Sequence, residues 1–291
     1  EKGSMTLVDQ EVSDNILKEI QPIKKDSGGS VANTIVGISL LGSDSSFCGK
    51  VKNDLLGKEF KQDMEKTNTA FLCDQSSEGL PTARCIVFVT PDGERSMQTF
   101  LGASTTLNEI DIKEDFFNGV DFLLIEGYLW SSDSARKAIE KSISISKNKN
   151  IKTIFSLSDF NLVRMFKKDF TDFIKSHVHI LIGNENEFNE IFGDNEELTF
   201  LKESSTELMV KTMGANGVEV IQTNKVNAIN SPVVQSVVDT TGAGDMFASG
   251  FLYKMLKGID PLECAAFGCK MASLIIQQYG ARPSQDIIKK L

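Results

Sequence analysis

Short apolar runs alternate along this chain with longer stretches whose apolar residues recur every three or four positions. That alternation predicts strands and helices in turn. Residues 31–41 (VANTIVGISLL) have helical spacing, 46–51 a short strand pattern and 54–66 a helical one. A different texture follows. Two β-rich runs, 82–90 and 95–101, flank Pro91-Asp92-Gly93, which signals a hairpin set apart from the main sheet. The rhythm then resumes with a strand at 120–125, an amphipathic helix at 134–147, a strand at 151–157, mostly helix over 160–175, and a strand at 178–182. A short helix is expected at 187–192, a strand at 207–212 and a hairpin at 218–222 and 225–229. An apolar strand at 233–238 leads into a Gly-rich turn and a helix over 245–256, and 262–278 forms a last long helix. Apolar strands alternating with helices predict a mostly parallel sheet covered on both faces. The simplest organisation is one domain over 1–291, with a β insertion at about 82–101.

Composition narrows the function classes. Hydrophobic residues make up 41% and charged residues 24%, an ordinary globular balance. The formal net charge of -9 argues against a broad basic face for nucleic acid. An acidic chain can still hold a nucleotide in a local cradle of backbone N–H groups. No apolar run reaches the roughly 18 residues that a membrane span needs. The five cysteines, Cys48, Cys73, Cys85, Cys264 and Cys269, form no C-x-x-C pair and read as reduced, buried cytoplasmic thiols. His177 and His179, two apart, suit a strand with both rings on one face and have no zinc-type partners nearby. The opening Glu1-Lys2-Gly3-Ser4-Met5 is neither an initiator Met nor a signal peptide, so the chain reads as beginning inside a longer product.

The segment with the most chemistry is Asp239-Thr240-Thr241-Gly242-Ala243-Gly244-Asp245. It stands just before a helix with apolar residues at Met246, Phe247, Phe251, Met255 and Leu256. Gly242 and Gly244 permit tight backbone and close ligand approach. The N–H groups of 242–245 would point unpaired from the helix N-terminus, forming an anion hole for a transferring phosphoryl group. Asp245 in that place either caps the helix or accepts a proton from an attacking hydroxyl. A dinucleotide fingerprint would need a third glycine at 247, where Phe247 stands, and no Walker motif exists.

The seven-residue string resembles the C-terminal signature of the ribokinase/PfkB family of carbohydrate and nucleoside kinases. Other segments share the resemblance in order along nearly the whole chain. Gly28-Gly29-Ser30-Val31-Ala32-Asn33-Thr34 looks like the N-terminal signature, which implies glycines approached by the sugar and an Asn33 bonded to its hydroxyl. Phe47-Cys48-Gly49-Lys50-Val51 and Asp54-x-x-Gly57 also look familial. Asn184-Glu185-Asn186-Glu187 matches an Asn-x-x-Glu motif, implying that Asn184 and Glu187 orient waters on Mg²⁺. Thr212-Met213-Gly214-Ala215-Asn216-Gly217 resembles the nucleotide loop, marking Thr212, Gly214 and Gly217. Gly280-Ala281-Arg282-Pro283 resembles the family's ending beside the adenine pocket, marking Gly280, with Asp239 and Thr241 implied as oxygen ligands of K⁺.

The nearest flavour is the adenosine kinase-like branch, carried by Thr82-Ala83-Arg84-Cys85, by Thr90-Pro91-Asp92-Gly93-Glu94-Arg95-Ser96-Met97, and by Glu126-Gly127-Tyr128-Leu129-Trp130. The resemblance implies a three-layer α/β/α sandwich with a mostly parallel central sheet and a small β lid. It implies an ATP-dependent kinase acting on a primary hydroxyl of a nucleoside or sugar, with Met97 near the acceptor. The protein is expected to be a monomer or a homodimer, since an exposed lid sheet can pair with a second copy. Arg95 reads either as a lid arginine reaching the transferred phosphate or as a solvated hairpin residue. One departure stands out. The family opens with a strand and a Gly-Asn-x-x-x-Asp stretch whose Asp grips two sugar hydroxyls, and none precedes Gly28. A degenerate, non-catalytic nucleoside- or sugar-binding module is therefore the competing expectation.

Overall fold

The structure, a computed structural model, describes residues 5–193 and 196–291. The opening Glu1 to Ser4, read above as interior to a longer product, lies outside the described residues. The chain divides into two compact units. The first takes the described residues up to Leu107, with Val233–Ser249 and Met271–Leu291; the second takes Asn108–Pro232 and Gly250–Lys270. Both are assembled from segments far apart in sequence, which a linear reading does not delimit.

In the first unit the chain runs β1 (Met5–Leu7), α1 (Gln10–Glu19), α2 (Ser30–Leu40), β2 (Ser45–Phe47), α3 (Leu55–Lys66), β3 (Thr69–Phe71), β4 (Arg84–Val89) and β5 (Arg95–Phe100). β4 and β5 form the expected hairpin, and β1 adds to β5 in parallel, giving the order β1-β5-β4. At the turn Gly93 has φ 80°, and the Thr90 hydroxyl donates to Asp92 Oδ1 at 2.6 Å. Arg84 pairs with Asp14 of α1 at 2.5 Å, tying that helix to the sheet. β2 and β3 make a separate parallel pair, and Phe47, Phe60 and Phe71 pack at centroid distances of 5.8–6.2 Å beside Ala32, Val36 and Met64. β2 is shorter than expected. Asp54 caps α3 by accepting from Gly57 N at 2.8 Å, and it also accepts from Thr82 N and Thr82 Oγ1 at 2.9 and 2.7 Å.

The second unit continues with β6 (Phe122–Glu126), α4 (Asp133–Lys149), β7 (Lys152–Ser156), α5 (Phe160–Met165), α6 (Lys167–His177), β8 (Ile180–Asn184), α7 (Glu185–Phe192), α8 (Glu197–Lys202), β9 (Leu208–Thr212), β10 (Val218–Gln222) and β11 (Lys225–Ile229). Its six-stranded sheet has the order β11-β10-β9-β8-β7-β6. β6 through β9 are parallel, each joined by helical crossovers, and β10 and β11 are antiparallel. The residues of β8 from Ile180 to Gly183 are all buried, as a strand covered on both faces requires. The core is aromatic: Trp130 meets Phe170 at 5.1 Å and Phe173 at 4.8 Å, and Phe155 meets Phe170 edge-on at 5.1 Å. Each such pair adds about 0.5–1.5 kcal/mol beyond area burial. The boundary between units falls within α9 (Ala243–Leu256) and α10 (Pro261–Ile275), and α11 (Gln285–Ile288) closes the chain.

Three expectations need correction. Residues 233–238 are not a strand: they are irregular, with Val233 97% exposed. The backbone there is satisfied another way, because Val238 N and Asp239 N both donate to Ile276 O. His177 and His179 do not share a strand face. α6 runs through His177, which packs on Phe173 one turn earlier at 5.5 Å, while His179 Nδ1 accepts from Thr153 N at 3.0 Å. A spacing of two residues is too short to overrule a helical pattern that extends over Phe170 and Ile174. The cysteines are neither all reduced nor all buried. Cys48 and Cys73 form a disulfide, and Cys85 is exposed. The parallel register of Phe47 on Phe71 brings the two cysteines together across 25 residues of chain, a pairing no local spacing announces. No described helix is long and apolar enough to cross a membrane.

Candidate active site

The glycine corner before α9 adopts a conformation that favours glycine. Gly242 has φ +79°, and a Cβ there would lie 2.6 Å from Ala281 Cα. Gly244 is exposed, and a Cβ at that position would meet nothing within 4 Å. The first-turn N–H groups of Gly244 and Asp245 have no intrahelical acceptor. Ala243 departs from the expected row of free donors, because its N–H donates to Thr240 O at 3.2 Å.

Asp245 stands in the first turn of α9 and is held from α2. Its Oδ1 accepts from Ser30 Oγ at 2.7 Å and its Oδ2 from Asn33 Nδ2 at 2.9 Å. The Thr34 hydroxyl lies within bonding distance of the Asp245 carbonyl, at 3.2 Å. Burial raises the Asp245 carboxyl above its ordinary range, while the bonds from Asn33 and Ser30 and the charge of Arg95 pull it down. The residue as a whole is half-buried. Arg95 is half-buried: its Nη1 donates to Thr240 O and Oγ1 at 3.3 and 3.1 Å, and Thr240 Oγ1 donates to Gly93 O at 3.2 Å. The hairpin turn is thereby latched to the segment that leads into the glycine corner.

Around this cluster the expected residues divide. Gly29, with φ +102°, opens α2 and accepts from Asn33 N at 2.8 Å, while Gly28 is exposed with open space around it. Asn33, the expected partner of a sugar hydroxyl, is 4% exposed and donates to the Asp245 carboxylate. Met97 is half-buried on β5, opposite Met5 and Val87, outside the hydrogen-bonded cluster. Asp239 is 3% exposed; Oδ1 accepts from Thr241 N and Oγ1 at 2.9 and 2.6 Å, and Oδ2 from Gly280 N at 2.9 Å. The side-chain oxygens of Asp239 and Thr241, which the resemblance implied as K⁺ ligands, are bonded to each other and to Gly280. Their arrangement pins the C-terminal tail to the corner.

In the second unit, Asn184 and Thr212 are register partners at the carboxyl ends of β8 and β9, the end of parallel strands where ligands bind. Asn184 and Glu187 form a reciprocal cap at the start of α7: Asn184 Oδ1 accepts from Glu187 N at 3.0 Å, and Glu187 Oε2 from Asn184 N at 2.8 Å. Burial pushes Glu187 up to about 7 despite the Asn184 bond, and the charge of Asp159 adds to the rise. Glu187 is 3% exposed and Asn184 exposed. Among the described residues no group of three His, Cys, Asp or Glu could hold a metal directly. The pair fits Mg²⁺ held through water, since a cation nearby would offset the penalty on a buried carboxylate. Gly214 and Gly217 bound a tight turn after β9, with φ +55° and +97°. At Gly217 an added Cβ would lie 1.9 Å from Ile229 O, so the loop backbone hugs β11.

Ser30 is a contact that the motifs alone did not single out. It lies three residues before Asn33 on one face of α2, a spacing that points both side chains at one partner. Thr240 and Arg282 have no such local signal.

Residues 3–288 match the pfkB family carbohydrate kinase domain. The 5-dehydro-2-deoxygluconokinase of Bacillus subtilis (strain 168) is 26% identical over 290 residues, covering 94% of this chain and 89% of that protein. The crystal structure of adenosine kinase from Sinorhizobium meliloti superposes with a TM-score of 0.93 at 31% identity, covering 100% of this chain and 90% of that one. A probable sugar kinase from Rhizobium etli CFN 42 does so with a TM-score of 0.93 at 32% identity, covering 100% and 89%. The fold is therefore the ribokinase-like α/β fold, and the chain belongs to the pfkB family of carbohydrate kinases.

Proposed function

We propose that this kinase transfers the γ-phosphoryl group of ATP to a primary hydroxyl of a sugar, a sugar acid or a nucleoside, with Asp245 as the base. The observation that carries the reading is a carboxylate at the N-terminus of α9, oriented by Ser30 and Asn33 beside free first-turn N–H groups. Asp245 takes the proton as the hydroxyl oxygen attacks the γ-phosphorus and the bond to the ADP oxygen breaks. The N–H groups of Gly244 and Asp245 and the corner at Gly242 stabilise the charge that develops on the phosphoryl oxygens. Arg95, on the lid hairpin, adds a planar cation to that charge. Asn184 and Glu187 would hold Mg²⁺ through water, where it would supply positive charge to offset that of the phosphates. Thr212, Gly214 and Gly217 supply the loop for the nucleotide, and Gly280 the tail beside its base.

The acceptor is a polyol rather than a macromolecule, as the relatives' names, 5-dehydro-2-deoxygluconokinase and adenosine kinase, suggest. A coupled ADP-release assay with 5-dehydro-2-deoxygluconate, adenosine, ribose and fructose tests the reading. Acceptor-dependent ADP from at least one of them is expected. ATP bound without ADP from any acceptor would support the non-catalytic binding module instead.

A further inference from the structure

Arg282 lies in the C-terminal tail, far in sequence from the corner, yet it reaches the same cluster. Its Nε donates to Asn33 Oδ1 at 3.2 Å, and its guanidinium lies over the Phe60 ring at 5.7 Å. Its Nη2 is buried with no hydrogen-bond partner among the described residues. A buried donor left unmet is unfavourable, so packing against Phe60 alone would be better served by an apolar side chain. What the arginine does that an apolar residue cannot is orient an amide. Arginine only donates, so Asn33 must turn its oxygen to Arg282 and its NH₂ to Asp245.

We propose that Arg282 is a positioning residue for the phosphoryl-transfer base, acting through the Asn33 amide; this rests on the function proposed above. While Asp245 is ionised, its own charge holds the Asn33 NH₂ in place. Once Asp245 has taken the acceptor's proton it can itself donate, and the amide would be free to turn. Arg282 keeps the oxygen end engaged through that step, so the base returns to the same geometry each cycle. Asp245 is faced by Ser30 and Asn33 from α2 and by the charge of Arg95 from β5. Arg282 is faced by Asn33 from α2, by Asp63 from α3 and by Asp26 from the segment before α2, with Lys66 on Asp63 at 2.9 Å and Lys24 on Asp26 at 2.7 Å. A reversed amide would point its oxygen at the carboxylate, disfavour the ionised form and raise the pH at which the base works.

The test compares Arg282→Met with Arg282→Gln, which retains an amide donor for Asn33 Oδ1 but no charge, using the acceptor that the wild-type chain phosphorylates. Arg282→Met is expected to lower kcat by about 10-fold or more and to move the acidic limb of kcat/KM to higher pH. Arg282→Gln is expected to recover most of kcat. Equal impairment of both variants with an unmoved acidic limb overturns the proposal and leaves Arg282 as a tail anchor; so does an Arg282→Met variant indistinguishable from wild type. Should Arg282→Met not fold, Arg282→Leu, equally apolar and without a donor, takes its place with the same expected and overturning outcomes. A wild-type chain that releases no ADP with any acceptor sinks the functional reading itself, and this inference with it, before any variant is made.

Discussion

Glu187 and Asp245 are both acids in the first turn of a helix, and they are satisfied in opposite ways. Glu187 closes a reciprocal cap with Asn184, three residues away, and is 3% exposed. Asp245 receives its hydrogen bonds from Ser30 and Asn33, 215 and 212 residues away, and the residue as a whole is half-buried. Burial raises both carboxyls, Glu187 to about 7. The first is an acid that completes its own helix. The second is an acid held by a different helix. Local capping satisfies a helix start from within its own turn, whereas the orientation of Asp245 is set by donors on another helix.

The comparison breaks most sharply at Asp245. Asp245→Asn should lower kcat by about 10²–10⁴-fold in the ADP-release assay with little change in Tm; near-normal turnover would remove the base from the mechanism. With wild-type protein, the rate should fall as pH drops through the raised Asp245 value, since a protonated base cannot accept the proton. The acidic limb of kcat/KM should therefore lie above the roughly 4 of an ordinary aspartate.

Gly242→Ala meets both a positive φ and Ala281. It should destabilise the fold by about 1–3 kcal/mol in urea melts, whereas Gly244→Ala, with open space around it, should melt like wild type. Glu187→Gln tests the other acid. A carboxyl raised from 4.5 to about 7 contributes stability that is fully present below pH 4.5 and lost as pH rises through 7. Glutamine keeps an acceptor for Asn184 N without a buried charge. The variant should then be more stable than wild type at pH 8, by up to about 2–3 kcal/mol, with the gap closing below about pH 5 in paired melts. Smallest, Asn184→Ala removes half of the reciprocal cap and should cost about 1 kcal/mol in the same melts.

Features that depend on neighbours in the chain were legible from residue order. The alternation of strands and helices, the hairpin around Pro91-Asp92-Gly93, the Asn184–Glu187 spacing and the Gly242–Asp245 corner each rest on hydrogen bonds or periodicities spanning a few residues. Such interactions close the same way in many folds, so spacing alone encodes them. The partners of Asp245, the Cys48–Cys73 pairing, the reach of Arg282 to Asn33 across 249 residues and the irregular course of 233–238 were not legible. Each depends on which elements pack together, and an apolar run such as 233–238 becomes a strand only where a neighbour offers it a ladder. Here the carbonyl of Ile276 takes those backbone donors instead.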